Sequence, residues 1–442
     1  MDALRARSKG AIAFTGAGGK STAMGCLAME LADERPVLLT TTTKLGLDQT
    51  ILANSHWIAS PATSFEGLVQ TLDEARTVLV TGPASADESK WTGLDHAQVH
   101  NLHEVAHREG ASLLIEADGA RGRSLKAPAE HEPALPLFVD LVVPLIGLDV
   151  LGETLDDRWV HRPDLVAKLL SLPLGSRLQH THIAELIVHK QGGMKGVPAG
   201  VEVRALLNKA ETPSRIEYGR WIAERTIESG SVSACVLAAL TQEPPVFEAV
   251  VPLAGIVLAA GGSLRLEQPK QLIPWKGKPL VWYAVQAALR AGCSPVVVVI
   301  GAHGGLVREA LAGEPVAFVE NPDWEIGQSA SVKAGLRAVE KEVEAVVMFL
   351  SDMPLVDAEL VKSLVQAHRE TLSPLVAPRA GGRRGNPVLF DLVTFSALHE
   401  IVGDQGGRVL FDHFPVEWVS WDESVLLDID TQSDLDALRG EG

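Results

Sequence analysis

At 442 residues the chain is too long for one ordinary hydrophobic core, which predicts two or three domains. With 46% hydrophobic and 21% charged residues it has the balance of a folded protein, not a disordered one. A formal charge of −17 argues against non-specific nucleic-acid binding and against attraction to an anionic membrane surface.

Cys26, Cys235 and Cys293 lie far apart and form no CxxC pair, the usage of a reducing compartment without a cysteine-based zinc site. The opening run MDALRARSKGAIAF has no signal-peptide apolar block, and no window is apolar for long enough to span a bilayer. A cytoplasmic location is expected.

Short apolar, β-branched runs recur along the chain: Ala11–Thr15, Val37–Thr41, Thr77–Thr81, Ser112–Ala117, Leu141–Leu145 and Val203–Leu207. A seam follows at Thr241-Gln-Glu-Pro-Pro-Val-Phe-Glu248, where paired prolines close an Ala-rich, helix-like segment. Beyond it come Gly255–Leu258, Pro295–Ile300, Ala317–Val319, Ala345–Leu350 and Leu375–Ala377. Helix-like stretches separate most of these runs, the pattern of parallel α/β sheets. The reading is two α/β domains, residues 1–245 and 254–442.

In the first half, a strand runs into Thr15-Gly-Ala-Gly-Gly-Lys-Ser-Thr22 and then into a helix-like segment from Ala23. Gly16, Gly18 and Gly19 let backbone N–H groups converge on an anion, Lys20 adds a point charge, and Ser21 and Thr22 supply hydroxyls at a helix N-terminus. Ser21 would place its oxygen on Mg2+. The loop is a shortened P-loop resembling that of the Mur ligases. Downstream, His96, His100, His103 and His107 share one helix face and either hold a metal or flank a packed stripe. Glu116 and Asp118 end a buried strand, where they would hold Mg2+ or position water. Asn208-Lys209-Ala210-Glu211 resembles the base-reading NKxD motif of guanine-nucleotide proteins, with Glu211 in place of aspartate.

Thr40-Thr-Thr-Thr-Lys44, the run Glu116–Pro128, His161-Arg-Pro163 and Gly192-Gly-Met-Lys-Gly-Val-Pro198 occur in an order that resembles the selenium-dependent hydroxylase accessory family over residues 10–240. The resemblance implies a context, the maturation of molybdenum hydroxylases, with the hydroxylase apo-enzyme as a candidate partner. A purine nucleoside triphosphate, GTP or ATP, is the expected ligand of this half.

The second half opens on Leu258-Ala-Ala-Gly-Gly-Ser263, a buried strand turning on glycines, followed by Arg265 and Lys270. The amides at Ala259, Ala260, Gly261, Gly262 and Ser263, with the two cations, suit a triphosphate. Asp352 ends the strand Val346–Leu350 and is placed to hold Mg2+, with Asp428 or Asp430 completing the shell. Ser329 and Ser331, after a glycine, would approach base and ribose; Asn386, Asp404 and Arg408 form a polar floor for an acceptor.

These features together resemble the molybdenum cofactor nucleotidyltransferase family over residues 255–438, and the Leu-Ala-Ala-Gly start is similar to its cytidylyltransferase branch. The resemblance implies a Rossmann-like fold beside the P-loop NTPase-like first domain, and CTP with a molybdopterin-type cofactor as substrates. Lys270, Arg265 and Asp352 would be the catalytic set, with Mg2+ as cofactor. Two other readings stay open at this point: a sugar phosphate or other alcohol phosphate as acceptor, and a non-catalytic, nucleotide-gated chaperone that delivers the cofactor. Neither nucleic acid nor membrane is expected as a partner.

Overall fold

The computed structural model describes residues 2–8, 10–59, 65–262, 268–429, 431, 433, 434 and 436. The chain divides into two compact units, Met1–Val250 and Val251–Gly442. Among the described residues no helix is long and apolar enough to cross a membrane.

The first unit is built on nine strands: β1 (Ala11–Gly16), β2 (Val37–Thr41), β3 (Ser55–Ile58), β4 (Thr77–Thr81), β5 (Ser112–Glu116), β6 (Leu141–Gly147), β7 (Glu202–Asn208), β8 (Ala234–Ala238) and β9 (Val246–Val250). Their spatial order is β9-β8-β7-β6-β1-β5-β2-β4-β3. The first eight run parallel, and β9 is antiparallel to β8. Parallel strands covered on both faces carry near-continuous apolar runs, and Leu113 to Ile115 and Leu141 to Val143 are completely buried. The register pairs Phe14 with Glu116, Thr41 with Glu116, and Asn208 with Gly147. Thus the C-terminal ends of β1, β2, β5, β6 and β7 meet along one sheet edge, where open parallel sheets bind ligands. Helix Lys20–Ala32 leaves that edge and seats Ala23, Met24, Leu27, Ala28 and Leu31 on the sheet, an i, i+4 stripe.

Two expectations are corrected here. The Ala-rich segment before the paired prolines is not a helix: Ala234–Ala238 is β8, with all five residues buried. A run buried on both faces lacks the alternation that would mark it as a strand, and alanine's helix preference yields to the sheet around it. The seam also moves. Val246–Val250 forms β9 on the first sheet, and buried Glu248 is clamped by Arg220 at 2.9 and 3.0 Å, so the first unit extends to residue 250.

The second unit contains β10 (Leu253–Ala259), β11 (Val296–Ile300), β12 (Ala317–Glu320), β13 (Ala345–Leu350), β14 (Leu375–Ala380), β15 (Arg383–Arg384), β16 (Val388–Asp391) and β17 (Val416–Ser420). The order is β12-β11-β10-β13-β16-β14-β15, with β17 also along β14. The first four are mutually parallel, whereas β16 is antiparallel to both neighbours, so this sheet is mixed where a parallel one was expected. Val257 and Ala259 pack with Val281, Ala284 and Val285 of helix Leu280–Arg290. Ile256 and Ala254 pack instead with Val332 and Leu336 of helix Gln328–Val339. Alternate residues of β10 therefore face two separate helical layers, a three-layer α/β arrangement. The strand ends of β10 and β13 lie side by side, with Leu258 paired to Leu350.

Candidate functional site

In the first unit the turn after β1 is shaped by its glycines. Gly18 has φ +95°, and a Cβ there would stand 2.3 Å from the Gly147 nitrogen, so a side chain is excluded both by conformation and by space. Gly19 precedes helix Lys20–Ala32 without offering a capping side chain, which leaves the first-turn N–H groups turned to the edge of the sheet. An anion is the natural partner of such a helix start.

Lys20 is almost completely buried. Its Nζ donates to the Gly16 carbonyl at 2.6 Å and lies 3.2 Å from Asp118 Oδ1 and 3.8 Å from Glu116 Oε1. Asp118 also accepts from the Gly16 N–H at 3.1 Å, and its Oδ2 pairs with Lys126 at 3.0 Å. Lys126 continues to Glu132 at 2.8 Å, and Glu132 is gripped by both guanidinium nitrogens of Arg162. The result is an alternating chain of buried charges, in which each ion has an opposite neighbour. Burial opposes ionisation of Glu132, but the hydrogen bonds from Arg162 and Lys126 outweigh it and hold the carboxyl down at about 2. Glu116 behaves otherwise: burial raises its pKa despite Lys20 and the hydroxyl of Ser21, which donates to Glu116 Oε2 at 3.0 Å. Gln49 donates to the same hydroxyl at 2.8 Å.

Gly18, Gly19, Lys20, Ser21, Thr22, Glu116 and Lys209 line one cleft of about 710 Å3. Ser21 and Glu116 bring oxygens to this wall, the donor type of a hard cation such as Mg2+, whereas both oxygens of Asp118 face lysines. The Asn208 amide binds the Gly18 carbonyl at 2.8 Å and accepts from the Leu240 N–H at 3.1 Å, tying β7 to the turn. Glu211 is not brought to the cleft wall; it pairs with Arg215 one helical turn away, at 2.9 Å. The histidine row does not converge either. His103 stacks on Phe138 with centroids 3.9 Å apart, and among the described residues no three His, Cys, Asp or Glu side chains gather around a metal-sized point.

In the second unit the turn after β10 is pinned by Gln271, whose side-chain amide donates to the Gly261 carbonyl at 3.2 Å. Gly262 lies under Trp324: a Cβ at 262 would stand 2.8 Å from the indole ring. Lys270 and Asp352 form an ion pair beside this turn. The other carboxylate oxygen of Asp352 is buried and has no hydrogen-bond partner among the described residues, and with oxygen donors only the position suits a hard cation. The Ile429 N–H donates to the Asp352 carbonyl at 3.1 Å, which carries the segment of Asp428 past Asp352. Ser263, Arg265 and Asp430 lie outside the described residues.

Ser329 and Ser331 are buried in the first turn of helix Gln328–Val339, where Ser331 accepts from Asn321 at 3.0 Å and the Ser329 N–H donates to the Gly403 carbonyl at 3.0 Å. Leu258, Asn386 and Arg408 share a cavity of about 170 Å3 with Arg384. Partial burial and the neighbouring Arg408 hold the Arg384 guanidinium below its ordinary pKa. Asp404 stands apart from that cavity, against the Gly327 turn, where φ is +123° and a Cβ would come within 2.6 Å of its carboxylate.

Sequence reasoning passed over Gln49, Arg121, Arg123, Lys126, Glu132 and Arg162 as site residues in the first unit, and Gln271, Trp324 and Arg384 in the second. Lys126 and Arg162 sat inside quoted motifs, so their charge was the available signal. Trp324 carried none, because its role comes from a distant glycine.

Comparison with known proteins agrees with this division. The YqeC protein family matches residues 12–164, and the MobA-like NTP transferase domain matches residues 255–418. The chain is 34% identical over 199 residues to the uncharacterized protein YqeC of Escherichia coli strain K12, covering 43% of this chain and 72% of that one. It is 35% identical over 188 residues to the nicotine blue oxidoreductase of Paenarthrobacter nicotinovorans, covering 40% of this chain and 91% of that one. Among solved structures, Rv0371c from Mycobacterium tuberculosis H37Rv is 28% identical, with 42% of this chain and 97% of that one covered at a TM-score of 0.39. The chain belongs to the YqeC family through its first half and to the MobA-like NTP transferases through its second.

Proposed function

We propose that the second unit is a Mg2+-dependent CTP:molybdenum cofactor cytidylyltransferase, and that the first is a nucleotide-binding accessory domain for molybdenum hydroxylase maturation. The observation that carries the first statement is the Lys270–Asp352 ion pair at the adjoining ends of β10 and β13, beside a turn where a Cβ on Gly261 would meet nothing within 4 Å. In-line transfer of a nucleotidyl group needs positioning and charge stabilisation more than a covalent nucleophile.

Lys270 then leaves Asp352 for the triphosphate, with Arg265 as second cation, and the pair stabilises the departing pyrophosphate. Arg384 and Arg408 hold the anionic acceptor near Leu258, and Asn386 orients it. Asp352, with Asp428 or Asp430, would hold Mg2+, which would supply Lewis-acid polarisation of the α-phosphate. The acceptor phosphate oxygen forms the new bond to the α-phosphorus while the α–β bridge breaks. Gly261 and Gly262 offer amides to the phosphates, and Ser329 and Ser331 form the floor under base and ribose.

In the first unit, Lys20 would exchange Asp118 for the β- and γ-phosphates of a purine nucleotide. Glu211 pairs with Arg215 and would have to leave it to read a guanine edge, so titration with GTP and ATP decides its role. The location consistent with these substrates is the cytoplasm.

The test is pyrophosphate release from the full chain with molybdopterin-type cofactor and each of CTP, GTP and ATP. CTP-dependent release is expected; a preference for GTP or ATP overturns the cytidylyl assignment. A second reading follows from the relative whose name states an oxidoreductase activity. Turnover of nicotine blue by the full chain, without pyrophosphate release, would favour it.

A further inference from the structure

The wall of the first cleft is more basic than one nucleotide requires. Besides Lys20 it carries Lys44, Lys90, Arg121, Arg123, Arg162 and Lys209; Lys20 pairs with Asp118, Arg162 with Glu132, and Lys209 with Asp149 at 2.7 Å. Lys44, Lys90, Arg121 and Arg123 have no carboxylate partner among the described residues, in a chain whose formal charge is −17, so the concentration of positive charge is local and specific. A magnesium-bound triphosphate brings about two negative charges, which leaves about two of these four positive charges unmatched.

The backbone sets these cations in place. Arg121, Arg162 and Lys209 have φ of +49°, +65° and +63°, left-handed values that non-glycine residues adopt rarely and that cluster at functional sites. All three line this one cleft. The loop of Arg121 and Arg123 is fastened to the phosphate turn, because the Gly18 N–H donates to the Arg123 carbonyl at 3.0 Å. Arg162 is fixed by its fork on Glu132. Arg121 and Arg123 themselves have no side-chain hydrogen bond or ion pair among the described residues, although guanidinium groups of this kind are suited to bidentate capture of tetrahedral oxyanions.

Resting on the reading of Thr15–Thr22 as a nucleotide loop, we propose that the cleft holds two anions at once: the nucleotide on that loop, and a phosphate-bearing small molecule on Arg121 and Arg123, with Arg162 at its rim. The first unit is then a two-substrate site and not a bare nucleotide switch. His161, at the same wall, reports the field of these groups. Burial, and then the charges of Arg162, Lys126 and Arg121, push its pKa down to about 4, so its imidazole is neutral at pH 7 and faces cations on several sides. An anion arriving between them relieves that field.

The experiment uses the full chain and inorganic phosphate as probe. Phosphate is titrated into protein saturated with Mg2+ and a non-hydrolysable purine nucleotide analogue, and the His161 imidazole resonances are followed. Phosphate is expected to bind with the nucleotide in place and to shift those resonances. In the Arg121→Gln/Arg123→Gln variant, phosphate affinity falls at least about tenfold while nucleotide affinity stays within about twofold. Lys20→Ala gives the opposite split. Phosphate that displaces the nucleotide, fails to bind beside it, or weakens in parallel with it in the double arginine variant overturns the proposal. Should the wild-type chain bind no nucleotide, the nucleotide-loop reading fails instead, and the phosphate titration alone still reports whether Arg121 and Arg123 take an anion.

Discussion

Asp118 Oδ1 stands 3.2 Å from the Nζ of Lys20, and both side chains are shielded from solvent. The lysine that would meet phosphate is thus held by a carboxylate until a stronger set of negative charges arrives. Asp118 serves Lys126 as well, so it is the common counter-ion of two buried ammonium groups.

Asp118→Asn removes that counter-charge and keeps the side-chain volume. Breaking a buried pair from one side typically destabilises by about 3–5 kcal/mol, because the remaining ion stays uncompensated. The first unit is expected to melt earlier, and the second unit to keep its transition. Calorimetry of the full chain resolves the two; an unchanged first transition would show that Lys20 and Lys126 are stabilised without Asp118.

Asp352→Asn addresses the second unit. The substitution is nearly isosteric but loses the charge that pairs with Lys270 and suits a hard cation. Turnover is expected to fall by about 10²-fold or more at saturating metal, with the fold retained. Pyrophosphate release and a melting curve are read on the same preparation. Full activity in the variant would move the metal to Asp428 or Asp430 alone.

Acid should act on the first unit through His161 and Glu132. His161 is depressed to about 4 from an ordinary 6.5, so between those values the unfolded chain binds a proton that the folded one refuses, and stability falls as pH drops through that window. Glu132, held at about 2 against an ordinary 4.5, contributes stability present above 4.5 and lost as pH falls toward 2. Melting temperature followed from pH 7 downward should therefore decline in two stages. His161→Asn should flatten the upper stage and Glu132→Gln the lower; a wild-type profile level from 6.5 to 4 would contradict the first assignment.

The domain boundary gives a prediction about fragments. Residues 1–250 retain β9 and the Arg220–Glu248 clamp, whereas residues 1–245 lose both and leave the edge of β8 uncovered. Bare strand edges promote association. The longer fragment should stay monomeric in a light-scattering measurement where the shorter one aggregates, and equal behaviour would mean that β9 is dispensable. Residues 251–442 should release pyrophosphate from CTP without the first unit.

Local chemistry wrote some of this structure directly into the sequence. The glycine turn before Lys20 and the strand that ends at Leu350 just before Asp352 were legible because a strand, small residues and a helix start must follow one another along the chain. Most strands of both sheets were legible too, since burial on both faces demands long apolar runs. Ala234–Ala238 was not, because its alanines satisfy either a helix or a buried strand and only the neighbouring β7 decides. The antiparallel β16 depended likewise on pairing with β13.

Tertiary structure alone decided which charges meet. Lys20 and Arg162 come from segments far in sequence from the run that carries Asp118, Lys126 and Glu132, and no spacing predicts their alternation. Glu211 shows the converse: the motif placed it at a nucleotide base, but Arg215 lies one turn along the same helix start and takes its carboxylate first. Trp324 over Gly262 is a third case, where a missing side chain in one loop is filled by an indole from another. Sequence determines which backbone shapes are allowed and which surfaces must be buried; the partners of a charge depend on distances between segments, which exist only once the sheets have formed.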